Sequence, residues 1–182
     1  MLSDLVSFSN FNGALISDVL RYARIEPQVL QVELHPYLNQ QPLVNFAKTI
    51  GLALTAYSSL GPQGYYEIGF DKTVPSILDT DTVKALSAKH NRSTPRSTRL
   101  RLFKTERSII GPAQIVLRWS TQREIAVIPK SNNHDRLVQN LQCNDFDLSE
   151  DDIQEINKLN RNLRVSVRDI FRPVPLLTVY FR

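Results

Sequence analysis

The chain has one cysteine, Cys143, in 182 residues. A single cysteine excludes any disulfide within the chain and suits a reducing setting such as the cytosol. Cys143 lies in a polar stretch with no histidine base nearby in sequence, so it reads as an ordinary thiol. The six glycines form neither G-x-G-x-x-G nor G-x-x-x-x-G-K-[ST], which argues against a Rossmann or P-loop phosphate cradle. No apolar run approaches the ~20 residues that span a bilayer. The start, MLSDLVSFSNF, has an acidic residue and no basic region, unlike a signal peptide. The last three residues do not match the peroxisomal address. The expected location is cytoplasmic.

What is present is ordinary for a globular domain: 42% hydrophobic and 22% charged residues. The net charge of +4 is unevenly spread. Segment 92–107 carries six basic residues against Glu106, and 161–182 carries five against Asp169, so the remaining body is acidic. The basic character therefore sits in two short stretches, without the interleaved aromatics of a base-stacking platform. A nucleic-acid partner is not expected.

Strand-like and helix-like segments alternate. LVSFSN (5–10), LQVELHPY (30–37), LALTAYSSL (52–60) and IAVIPKS (125–131) are short apolar runs, the last three closed by proline or Gly61–Pro62. Such runs suit strands of a buried parallel sheet. Helical spacing covers 14–22, 42–49, 80–89, 113–122, 135–142 and 149–159. Asp79 is expected to cap the third of these, and Ser149 with Asp152 resembles a capping box. Repeated strand–helix units predict a parallel α/β architecture, as a small open sheet or as part of a β/α barrel. Residues 93–111 and the tail from 165 break the pattern, and both are expected to be poorly packed.

Few constellations carry chemistry. Glu33 and His35 share a strand face, a spacing open to a metal pair, but no third ligand is evident. A structural histidine at a strand end is the favoured reading, and His134 beside Asp135 reads as solvated. PKSNNHDRLVQN (129–140) places Lys130, Ser131 and Asn132 at a strand end, with Arg136 and Asn140 on one face of the next helix. A cation, a hydroxyl and a helix start together suit a phosphate, and a solvated polar helix start is the equal alternative. TAYSSLGPQ (55–63) puts Tyr57 at another strand end, as a packed core tyrosine or as a stacking platform.

Five stretches, SNFNGALISDVLRYA (9–23), LQVELHPYLNQQPLVNFAKTIGLALTAYSSLGPQ (30–63), DTVKALSAKHNRS (81–93), PAQIVLRW (112–119) and 125–164 with its IPKSN, together resemble the aldo-keto reductases, and within them the fungal xylose (aldose) reductases. The resemblance implies strands five to eight of a (β/α)8 barrel over residues 1–164, with an atypical basic insertion at about 94–111 and an atypical tail over 165–182. It implies NADPH as cofactor, with NADH also open, and a small aldehyde or sugar as substrate. Ser9, Asn10 and Gln31 would hold the nicotinamide carboxamide, and Tyr57 would stack on its ring. Ser58, Leu60, Gln63 and Glu67 would line the pyrophosphate side. Lys130, Ser131, Asn132 and Arg136 would grip the ribose and its 2′-phosphate, with Asn140 at the adenine. Gln139 stands where the family often carries Glu, which bears on the choice between the two nucleotides.

The family's catalytic Asp, Tyr, Lys and His lie upstream of the S-N-F motif, which here begins at Ser9, so the resemblance assigns no catalytic residue to this chain. The expectation is an NAD(P)H-dependent oxidoreductase that is catalytically incomplete by itself, or else a non-catalytic NADP-binding or inert half-barrel. Two unpaired strand edges would then favour self-association.

Overall fold

The computed structural model describes residues 6–66, 73–93 and 109–166, with backbone alone at 92 and 93. Four apolar runs become the strands β1 (Ser7–Ser9), β2 (Val29–Glu33), β3 (Ala53–Tyr57) and β4 (Ile125–Val127). They pair in the order β1-β2-β3-β4, every neighbour parallel. Between and after them run the helices α1 (Gly13–Leu20), α2 (Gln41–Thr49), α3 (Gln63–Tyr66), α4 (Asp81–Ser93), α5 (Pro112–Thr121), α6 (His134–Leu141) and α7 (Glu150–Asn157). None of the described helices is long and apolar enough to cross a membrane.

The register divides the sheet into two unlike faces. Phe8, Leu30, Leu54 and Ile125 align across the strands, with Val32 and Ala56 one step on. This face joins Ile16, Val44, Ala47, Ile115, Val116 and Trp119 of the helices in one buried core. Residues of the alternate parity, Ser9, Gln31, Thr55 and Ala126, align in a row on the other face. That row is exposed or half-buried. The described helices therefore cover one face, and the second is mostly polar.

Buried polar contacts lock the helices together. Trp119 is fully buried, and its indole N–H donates to Asn157 Oδ1 at 3.0 Å, tying α5 to α7. Arg123 stacks on the Trp119 ring at 4.2 Å and donates to the Asn39 carbonyl and to Gln41 Oε1. Burial lowers its guanidinium to about 10.

Local differences from the sequence expectations have local causes. The apolar run 125–131 pairs only as far as Val127, because Pro129 has no N–H for a ladder and Ile128 is exposed. The cap of α4 is Thr80, not Asp79: its hydroxyl accepts from the Val83 N–H at 3.4 Å, while Asp79 ends a 3₁₀ turn over 77–79. Cys143 is buried, and burial pushes its thiol up. The expected poor packing falls mostly on 94–108 and 167–182, outside the described residues. At the margins the chain is docked: Ser87 and Asn91 donate to the Ile110 carbonyl, and the Val165 N–H donates to buried Glu33.

The turn after β3 depends on Gly61. Its φ is +67° and its N–H closes onto the Ser58 carbonyl at 2.7 Å. A Cβ there would clash with Ile77 Cδ1. Gly61→Ala is expected to destabilise the fold by roughly 2 kcal/mol, from left-handed strain and overpacking together. Adding Ile77→Val, which removes the clashing methyl, should recover part of that loss in urea unfolding but not the strain. No loss in Gly61→Ala would show that the turn relaxes freely.

Candidate functional site

Parallel strands bring all their C-terminal ends to one rim, and there the two faces of the sheet end in different chemistry. Ser9 pairs in register with Gln31, and the Asn10 N–H donates to the Gln31 carbonyl at 2.9 Å. Tyr57, at the end of β3, donates its phenol to Asn10 Oδ1 at 3.0 Å, and its oxygen lies 3.3 Å from Ser166 Oγ. Ser9, Asn10, Gln31 and Tyr57 are thus one group at the end of three adjacent strands. Asn10 and Ser58 each follow a strand with positive φ, 58° and 50°. Non-glycine residues held in this sparsely populated region are over-determined by their surroundings.

The next predicted residues line the loop after β3. Ser58 Oγ lies 3.3 Å from the Tyr65 hydroxyl. Burial raises the Tyr65 phenol, so it stays protonated and can donate. Leu60 is half-buried against the core. Gln63, the first residue of α3, accepts from Ser76 Oγ at 3.1 Å. Glu67 lies outside the described residues.

The third group stands on the connection from β4 into α6. Lys130 and Asn132 are exposed. Ser131 Oγ accepts from the Asn133 N–H at 3.1 Å. Asn133 caps α6 by accepting the Arg136 N–H at 3.0 Å. Arg136 and Gln139 are exposed on α6, Asn140 half so, and no α6 residue is buried. The parallel topology puts this group and Tyr57 at the same end of the sheet. A depression lined by Arg24 and Ile25 lies in the loop before β2, at the opposite end.

Sequence reasoning named Glu33 only as a neighbour of His35 and missed its partners at the rim. Glu33 and His35 do sit together, with Nε2 3.1 Å from Oε1 and both side chains fully buried. Among the described residues no group of three His, Cys, Asp or Glu could hold a metal. Instead Glu33 accepts from the Val165 and Ser166 N–H groups and from Ser166 Oγ. Burial favours its neutral acid, but the hydrogen bonds from His35, Ser166 and Val165 outweigh that and hold the carboxyl below its usual range. A charged residue inside an apolar strand was the available signal; its partners, 132 and 133 positions away, gave none.

The family model described as "Aldo/keto reductase family" matches residues 4–161. An NADPH-dependent D-xylose reductase of Meyerozyma guilliermondii is 47% identical over 161 residues, which cover 87% of this chain and 45% of that protein. An NAD(P)H-dependent D-xylose reductase of Scheffersomyces stipitis is 46% identical over the same length, covering 87% of this chain and 45% of that protein. A probable NAD(P)H-dependent D-xylose reductase of Aspergillus fumigatus is 44% identical over 165 residues, 90% of this chain and 47% of that protein. The chain spans just under half the length of these relatives. With its parallel βα units, and with a family match over nearly its whole described length, the chain belongs to the aldo/keto reductase family.

Proposed function

We propose that residues 6–166 are consecutive βα units of a β/α barrel and form the nucleotide-holding rim of an NAD(P)H-dependent aldose or aldehyde reductase. The sequential strand order and the helices on one face support a barrel over a doubly wound sheet, which needs helices on both faces. The polar row Ser9, Gln31 and Thr55 is then the inward face.

The observation that carries the reading is the group Asn10–Gln31–Tyr57 at the same sheet end as Lys130–Arg136. The donor set fits a nicotinamide dinucleotide. Asn10 accepts from Tyr57 through Oδ1, which leaves its NH2 group to donate, and Gln31 supplies a second amide for a carboxamide. Tyr57 offers a ring whose hydroxyl is already held, so it is pre-organised for stacking. Lys130 and Arg136 bring two cations and Ser131 a hydroxyl to a phosphate. When bound, the reduced nucleotide supplies the hydride that reduces a carbonyl of a small aldehyde or sugar. The name of the Meyerozyma relative favours NADPH, and those of the others admit NADH.

The proton donor that reaction needs has no counterpart within residues 1–182, by the family resemblance. The 182-residue chain by itself should therefore bind without turning over. Calorimetric titration with NADPH is expected to give a Kd tighter than roughly 1 mM, with no NADPH oxidation on adding xylose or glyceraldehyde. Absence of binding heat would favour an inert half-barrel, and measurable turnover would refute the assignment of the proton donor to other residues.

A further inference from the structure

Glu33 combines three features that no requirement of the sheet explains: it is charged, fully buried and sited at the functional rim. An isolated buried carboxylate is strongly unfavourable, so its partners reveal what it is for. Two successive backbone N–H groups, Val165 at 2.6 Å and Ser166 at 3.1 Å, converge on Oε1. The Ser166 hydroxyl donates to Oε2 at 2.5 Å. Arg164 Nη1 lies 3.9 Å from Oε2. The carboxylate thus clasps three consecutive residues that follow α7.

The clasp leads to Tyr57. Tyr57 and Glu33 are register partners on adjacent strands, so their side chains share a face. The one hydroxyl proton of Ser166 is committed to Glu33, so its lone pairs face the Tyr57 oxygen at 3.3 Å. The phenol proton is left to Asn10 Oδ1 at 3.0 Å, with Ser166 Oγ as second acceptor. The tyrosine is held from two sides by groups on different elements.

We propose that Glu33 is a positioning residue: by fastening residues 164–166 to the end of β2 it sets, through Ser166, the orientation of the Tyr57 ring. This deepens the nucleotide reading above and rests on it. An ionised acceptor is required, because the Val165 and Ser166 donors and the Ser166 hydroxyl all point at it. Glu33→Gln replaces one oxygen by a donor and breaks that match without changing shape. Ser166→Ala leaves the two backbone N–H bonds of the clasp and removes the hydroxyl that joins Glu33 Oε2 to Tyr57.

The test compares NADPH with 2′,5′-ADP, which has the adenosine and phosphates but no nicotinamide. For both variants NADPH affinity should fall about tenfold, the worth of one good charge-assisted or positioned contact. Binding of 2′,5′-ADP should change by less than about twofold, whereas general destabilisation would weaken both ligands. In parallel, 3-fluorotyrosine at position 57 should show a shifted fluorine resonance in both variants and an unchanged one in His134→Ala, an exposed site. Should Glu33→Gln fail to fold, Ser166→Ala carries the comparison. Equal losses for both ligands, unchanged NADPH affinity, or a fluorine signal that does not move would each overturn the proposal. If the unmutated chain binds neither ligand, the nucleotide reading fails, and the Glu33 claim is then decided by the fluorine resonance alone.

Discussion

Asp152→Ala is expected to destabilise the fold by roughly 3 kcal/mol, combining loss of the carboxylate half of a capping box with loss of a buried pairing site. The Asp152 side chain is 3% exposed and serves two helices at once. On its own helix it closes the capping box: its N–H donates to Ser149 Oγ and its Oδ2 accepts the Ser149 N–H, both at 3.2 Å. Across the interface it takes Lys89 Nζ at 2.6 Å and His90 Nε2 at 2.9 Å from α4. Alanine keeps the N–H that Ser149 Oγ accepts, but it removes the acceptor of the Ser149 N–H and leaves the nearly buried His90 ring without its carboxylate. For a chain of this size the loss corresponds to a melting temperature lower by about 8 °C.

The same residue gives the fold a slope in acid. Burial works to raise the Asp152 carboxyl, but Lys89, His90 and the Ser149 groups outweigh it and bring it to about 2, against 3.8 for an unpaired aspartate. Because the folded value is the lower one, the stabilisation is complete above about pH 4 and is lost as pH falls through about 2. The shift corresponds to roughly 2 kcal/mol. Circular dichroism melts from pH 7 to pH 2 should therefore show wild type and Asp152→Ala converging at the acid end. A difference below about 1 kcal/mol at pH 7 would show that Lys89 and His90 find other partners.

Much of this architecture was legible because local chemistry and global fold agree. The β2 and β3 runs are apolar, short and stopped by Pro36 and by Gly61–Pro62, and the Ser149–Asp152 pair announces α7 before any packing is known. Candidate site residues could be grouped where they share a segment, as in 129–140, since spacing alone puts Lys130 and Arg136 close in the chain. The long-range part was not. The clasp on Glu33 joins residues 132 and 133 positions apart, and the Tyr57–Asn10 bond spans 47. No periodicity encodes such pairs; they exist only because parallel crossovers return every strand end to one rim. The single turn α3, four residues long, was missed because it is too short to show a helical period.

Replacing Lys130 and Arg136 together by alanine is expected to weaken NADPH binding about a hundredfold, each cation contributing on the order of 1.5 kcal/mol to a phosphate. The two side chains are exposed on a connection that buries nothing, so their removal takes no core contact away. Asn133, not Arg136, provides the cap, and it accepts a backbone N–H that alanine retains. Stability of the double variant should thus remain within about 0.5 kcal/mol of wild type. NADH, which lacks the 2′-phosphate, should lose less than about threefold, so the ratio of the two affinities isolates the phosphate contact. Raising salt should weaken NADPH binding in the wild type more steeply than in the variant, because the screened attraction is the part removed. Parallel losses for both nucleotides would place the phosphate elsewhere, and an unchanged NADPH affinity would return Lys130 and Arg136 to the solvated helix start that their exposure also allows.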